Sequence, residues 1–138
     1  MAQVKDIILP DEFYYHKSHS YAKREGDIFV IGIDMLGVRS IGGIEYIELP
    51  QKGARVTQGK PFARVESAKW VGEVTSPLSG EVIEVNTKVV DSPELVKNEP
   101  YNSGWLIKIR PVDVNELSGL ITGKAVEEWL IKEQNKGN

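Results

Sequence analysis

The sequence predicts a mainly β domain with short helices and a helical tail at its C-terminal end. Three observations carry this. Apolar residues recur at period two in short runs rich in Val, Ile and Tyr, the pattern of strands buried on one face. Turns built on Gly and Pro separate those runs, Pro fixing φ and Gly accepting positive φ. After Pro111 the apolar spacing lengthens to three or four, so the final segment reads as helix.

Residues 1–12 read as an N-terminal arm ending in Leu9-Pro10-Asp11-Glu12. Phe13-Tyr14-Tyr15-His16 predicts a first strand, and Lys23-Arg24-Glu25-Gly26-Asp27 a turn into a second, Ile28–Ile33, with the two paired as a hairpin. Asp34 is placed to cap a short helix, although Gly37 inside it costs about 1 kcal/mol relative to Ala. Ile44-Glu45-Tyr46-Ile47-Glu48-Leu49-Pro50 alternates and stops at Pro, predicting a strand with one wet face. The stretch from Gly53 to Gly59 reads as a tight loop with Val56 turned inward.

Residues 65–85 hold two short strands with Lys69 between them, then a turn and a third strand. Val65 precedes the lysine; Val71 and Val74 flank Gly72 and Glu73; Ile83 and Val85 alternate with Glu84. Thr75-Ser76-Pro77-Leu78-Ser79-Gly80 is a turn with a mechanism in Pro77 and Gly80. Asp91-Ser92-Pro93-Glu94-Leu95-Val96 reads as a helical turn, with Pro93 where its missing N–H does no harm. A loop over Asn98–Gly104 leads to a strand, Trp105–Arg110, stopped by Pro111. Residues 113–136 are then two helices: Asp113–Leu120, and a second capped by Thr122. In the second, Ala125, Val126, Trp129 and Leu130 share a stripe that closes the sandwich.

With 138 residues and a net charge of −3, the chain predicts one domain, with acidic and basic residues mixed along it. A nucleic-acid surface would need a clustered basic footprint, and a membrane helix a far longer apolar run. The N-terminus lacks the apolar core of a signal peptide, so a cytoplasmic protein is expected. There is no cysteine, which removes disulfides, thiol nucleophiles and thiolate-held metals.

An arbitrary surface lysine is most often a solvated charge. The surroundings of Lys69 say more. Val65-Glu66-Ser67-x-Lys69, followed by Pro77-x-Ser79-Gly80, resembles the lipoylation region of the glycine cleavage H-protein family. Further landmarks in order are Gly32-Ile33, Glu48-Leu49-Pro50, Gly53, Gly59, Val85-Asn86, Ser92-Pro93-Glu94-Leu95-Val96, Pro100-Tyr101 and Gly104-Trp105. The resemblance implies a lipoyl/biotinyl-type hybrid barrel-sandwich of two sheets, with lipoate in amide linkage on Lys69. It implies a carrier and not an enzyme, shuttling an aminomethyl group between partners. These would be a pyridoxal-phosphate glycine decarboxylase, an aminomethyltransferase and a dihydrolipoamide dehydrogenase, with lipoate ligase or octanoyltransferase loading the lysine. Glu66, Ser67, Pro77 and Gly80 are the attachment motif, and Ser18, His19, Ser20, Ser40 and Glu73 the candidates for the pocket that receives the arm.

Departures gather around that pocket. The family's His-Glu-Trp is His19-Ser20-Tyr21 here, so Ser20 stands where a carboxylate is expected, and the small residue after the lysine is Trp70. Such changes fit an alternative: an H-like lipoate-binding protein serving a heterodisulfide-reductase-like complex in sulfur oxidation. An unmodified scaffold is the reading from another class. Biotinyl domains carry Met on both sides of their lysine, against Ala68 and Trp70. A metal site on His16 and His19 lacks a convergent third ligand.

Overall fold

The computed structural model describes residues 1–136, and among them three sheets and four α-helices. The first twelve residues do not form a loose arm. β1 (Ala2–Val4) and β2 (Ile7–Leu9) make an antiparallel hairpin turned at Lys5, whose φ is 57°. Ala2, Ile7 and Leu9 are buried, packed with Phe13, Tyr15, Tyr21, Val126 and Leu130. Three-residue strands carry too little periodicity to be read locally. Their burial comes from a helix more than a hundred residues away.

β3 (Tyr14–Tyr15) pairs with β4 (Ser20–Glu25), which pairs in turn with β5 (Ile28–Ile33). The predicted turn over 23–27 is therefore a correction. Lys23, Arg24 and Glu25 belong to β4, and the loop is only Gly26-Asp27, with Gly26 at φ +64°. The charged residues hide the strand in the sequence, although two of their cationic heads lie over aromatic rings. The Arg24 guanidinium, for instance, lies 5.7 Å from the Phe29 ring centre.

α1 (Met35–Ile41) starts as expected: Asp34 Oδ1 accepts a hydrogen bond from Gly37 N at 2.8 Å. β6 (Ile44–Glu48) breaks the expected alternation. A bulge between Ile44 and Tyr46 lets Ile44 and Ile47 both face inward, leaving Glu45 and Tyr46 outside. β7 (Arg55–Val56) pairs with the start of β10 (Gly80–Val85), while β8 (Pro61–Ser67) and β9 (Val71–Thr75) form a hairpin beside β6. In β10, Val82 is the buried residue and a bulge follows it, so Ile83 and Val85 are only half-buried. α2 (Thr87–Asp91), which the sequence reading passed over, precedes α3 (Glu94–Asn98). β11 (Ile107–Pro111) runs one residue into its proline.

The large sheet has the order β3-β4-β5-β11-β10-β7 and the small one β6-β8-β9. One core lies between the small sheet and α1–α3, around Ile47, Val65 and Leu106. A second lies inside the large sheet around Phe29, Ile107 and Ile109, and Phe62 packs against both. The tail is a 3-10 helix (Val114–Gly119) and α4 (Ala125–Lys136).

Two expectations about the tail change. Thr122 sits three residues ahead of α4 and does not cap it; its hydroxyl donates to Phe13 O at 2.7 Å. Ala125 is exposed, and the buried stripe of Val126 and Leu130 rests on the β1–β2 hairpin instead of closing a sandwich. No helix among the described residues is long and apolar enough to cross a membrane.

Candidate functional site: a lysine hairpin beside a small cleft

Lys69 stands at the tip of the β8–β9 hairpin. Glu66 pairs with Val71, and Ser67 N donates to Trp70 O at 2.8 Å, closing a turn that leaves Ala68 and Lys69 in solvent. The tip is held from below. Ala63, Val65 and Val74 are buried in the core under the small sheet, so the strands cannot slip without exposing them. Glu66 is half-buried and pairs with Arg64 at 3.6 Å on the same face of β8.

Pro77 and Gly80 lie at the other end of β9, about 16 Å along a five-residue strand from the tip. Their part is to hold the hairpin base where the chain crosses between sheets. Leu78 is fully buried, and Ser76 Oγ donates to Leu78 O at 2.6 Å. Ser79 is fastened to the 3-10 helix, its N and Oγ each donating to a Glu116 carboxylate oxygen at 2.8 Å. A Cβ on Gly80 would lie 2.4 Å from Arg110 O, so only glycine lets β10 approach β11 there.

Beside the tip is a cleft of about 180 Å³ lined by Ser18, His19, Ser40, Trp70 and Glu73 over a floor of Ile33, Gly37, Ile41 and Val74. Four of the five predicted pocket residues thus meet around one opening, brought there by the β3–β4 loop, α1 and β9. Ser20 is the exception and a correction. It is 1% exposed in β4, its Oγ has no partner, and it does not line the cleft. Ser20 opens β4 opposite Ile33 of β5, with its side chain buried.

The floor residues escaped the sequence reading, though Gly37 left a signal as a helix-interior glycine. A Cβ there would lie 2.9 Å from both His19 Cβ and Ile33 Cγ2.

His19 is the most constrained group of the site. Its φ is +73°, uncommon for a non-glycine residue. Nδ1 lies 2.9 Å from Asp34 Oδ2 and Nε2 2.8 Å from Glu133 Oε1, with the ring stacked on Trp129 at 4.9 Å. Burial favours the neutral ring, but the bonds and charges of Asp34 and then Glu133 outweigh it and raise the His19 pKa. Burial pushes the Asp34 carboxyl up, against the pull of the His19 bond. Glu133 is lowered: its desolvation is overcome by Lys136 and His19. With both ring nitrogens engaged, His19 ties the cleft to α4 and has no free lone pair to act as a base. His16 turns elsewhere, its Nδ1 2.7 Å from Ser18 Oγ, so the two histidines do not converge.

Among the described residues, no group of His, Asp and Glu could hold a metal ion. A rigid hairpin that offers one free amine beside a cleft sized for a small group is the arrangement of a swinging-arm carrier. A family model described as Glycine cleavage H-protein matches residues 13–133. The glycine cleavage system H protein of Geobacillus sp. (strain WCH70) is 40% identical over 124 residues, covering 90% of this chain and 97% of that protein. The mitochondrial one of Pisum sativum is 42% identical over 123 residues, covering 89% of this chain and 74% of that protein. The crystal structure of a glycine cleavage system H protein from Mycobacterium marinum superposes with a TM-score of 0.79 at 30% identity, covering 91% and 99% of the two chains. The chain belongs to the glycine cleavage H-protein family, whose members are lipoyl carriers and not enzymes. These relatives do not favour the sulfur-oxidation alternative.

Proposed function

We propose that Lys69 carries lipoate in amide linkage and that the arm travels between the partner enzymes of glycine cleavage. The observation that carries this is the exposed Lys69 at a hairpin tip whose core residues are fixed, next to a cleft that can receive the end of an arm. The residues present fit the group. The amine is reachable by a modifying ligase or octanoyltransferase, the floor of the cleft is apolar, and its rim bears hydroxyls and the Glu73 carboxylate. When bound, the lipoyl dithiolane would supply the sulfur that accepts an aminomethyl group, which a chain with no cysteine cannot supply itself.

The chain's own contribution is presentation and shelter. A lipoyl-lysine extends about 14 Å from ordinary bond lengths. A docked partner's active site within that radius meets the arm at an effective concentration of millimolar or above. Glu66 and Ser67 shape the tip, Pro77 and Gly80 anchor its base, and Ser18, His19, Ser40 and Glu73 line the resting place. The partners are glycine decarboxylase, aminomethyltransferase and dihydrolipoamide dehydrogenase, and the compartment is the cytoplasm.

Intact mass after co-expression with a lipoate ligase tests the attachment. One lipoamide increment, absent from Lys69→Ala, is the expected result; an unmodified wild-type chain would favour the scaffold reading. Glycine–bicarbonate exchange with the decarboxylase tests the pathway, and background exchange by fully lipoylated protein would remove the glycine role.

A further inference from the structure

We propose that Trp70 is a positioning residue for the lipoyl arm, its indole forming a lid seated in the notch that Gly72 leaves on β9 and closing over the loaded end in the cleft. This rests on Lys69 as the attachment site.

Gly72 has no positive φ, so its backbone does not demand glycine. The indole does: a Cβ at 72 would lie 2.2 Å from both Cζ2 and Cη2 of Trp70. The ring therefore rests directly on bare backbone, and the two residues form one unit. Trp70 also follows the attachment lysine immediately and lines the cleft. Its backbone is pinned, because its carbonyl accepts the Ser67 N–H at 2.8 Å. Movement is thus left to the side-chain torsions. Trp70 is 40% exposed, so it has area left for a ligand to cover.

The rim offers the loaded end two kinds of contact. Trp offers the best aromatic face for a cation, and sulfur also packs well on aromatic rings. Glu73 on the same cleft adds a carboxylate. A neutral arm end gains only the apolar and sulfur contacts, while an ammonium gains the ring face and the charge as well.

The test uses full-length lipoylated protein whose mass shows one lipoamide. The arm is reduced with a phosphine and loaded without enzymes by formaldehyde and ammonium. One thiol, one formaldehyde and one ammonium ion give S–CH2–NH3⁺ and one water; new C–S and C–N bonds form, the carbonyl oxygen leaves as water, and nothing is oxidised. Alkylation of the remaining thiol by iodoacetamide is followed by mass, and Trp70 emission by difference from Trp70→Phe.

The remaining thiol of the loaded arm is expected to alkylate about threefold to tenfold more slowly in wild type than in Trp70→Ala. Gly72→Ser keeps the indole but fills its seat, and should match Trp70→Ala. Trp70→Phe should recover part of the protection, and loading should shift Trp70 emission. Rates within twofold of wild type in both Trp70→Ala and Gly72→Ser would overturn the lid while leaving the attachment intact. A chain without lipoamide would instead overturn the attachment, and the lid with it.

Discussion

Replacing Asp34 by Asn isolates the charge that holds His19. The helix cap survives, because Asn and Asp cap about equally and the amide oxygen can accept from Gly37 N as Asp34 Oδ1 now does at 2.8 Å. What disappears is the carboxylate oxygen 2.9 Å from His19 Nδ1. With the cap kept, the new amide turns its NH2 toward that nitrogen. Against a protonated ring this sets donor against donor. Against a neutral ring, with Nε2–H on Glu133, the NH2 donates to a bare Nδ1 and the contact is good.

The sign of the pH dependence follows. The folded His19 pKa is raised, so its stabilisation is fully present below the unfolded value of about 6.5 and is lost as pH rises through the folded value. Asp34, also raised, adds to the decline with rising pH. Glu133, lowered and partnered by Lys136 as well, contributes above its unfolded value, and that contribution is lost only as pH falls through its folded value. A hydrogen bond to a charged group is worth about 1.5–3 kcal/mol, so Asp34→Asn should cost about 2 kcal/mol where His19 is charged. Where the ring is neutral it should cost nothing or stabilise, since a buried carboxylate has been removed. Urea unfolding at about pH 5.5 and about pH 9.5 brackets the unfolded imidazole value. An NMR titration of the His19 ring should show its pKa falling in the variant. Equal destabilisation at both pH values would refute this account of the His19 cluster.

Three further outcomes are expected from the packing. Gly37→Ala gains about 1 kcal/mol of helix propensity but forces a Cβ to 2.9 Å from His19 Cβ and Ile33 Cγ2. Overpacking of about 1–3 kcal/mol wins, so thermal melting should fall. Tyr101→Phe removes a hydroxyl that donates to Ile8 O at 2.6 Å and accepts from Met35 N at 2.8 Å. It should cost about 2–3 kcal/mol, with hydrogen-exchange protection lost first in the β1–β2 hairpin. Ser20→Ala should be neutral or stabilise by up to about 1 kcal/mol because the buried hydroxyl has no partner. Ser20→Glu should cost about 3 kcal/mol or more of unfolding free energy in urea titrations through a buried unpaired carboxylate; unchanged stability would return Ser20 to the cleft.

The sequence was most informative where the signal is local. Val65, Val74 and the Pro77–Gly80 turn announce a hairpin and its base because alternation and turn chemistry operate over a few residues. Asp34 announces a cap for the same reason. Local reading failed where burial is conferred from afar. β4 hides behind Lys23, Arg24 and Glu25, which pair with Val30, Phe29 and Ile28 of β5. β6 and β10 hide their bulges, since a bulge is a relation between two strands. Ser79 gives no sign that Glu116 will hold it.

By itself, then, the order of residues determined a mainly β chain of the H-protein family with Lys69 between two strands. It did so because that motif is contiguous, and each of its choices is enforced by neighbours within a few positions. Only the tertiary structure decided what surrounds the lysine: that Ser18, Ser40, Trp70 and Glu73 share one cleft, that Ser20 turns its back on it, and that Glu133 reaches His19 from the far end of the chain. Those facts depend on which faces meet when the sheets, α1 and α4 pack, and side-chain direction across such contacts is set by packing and not by spacing along the chain.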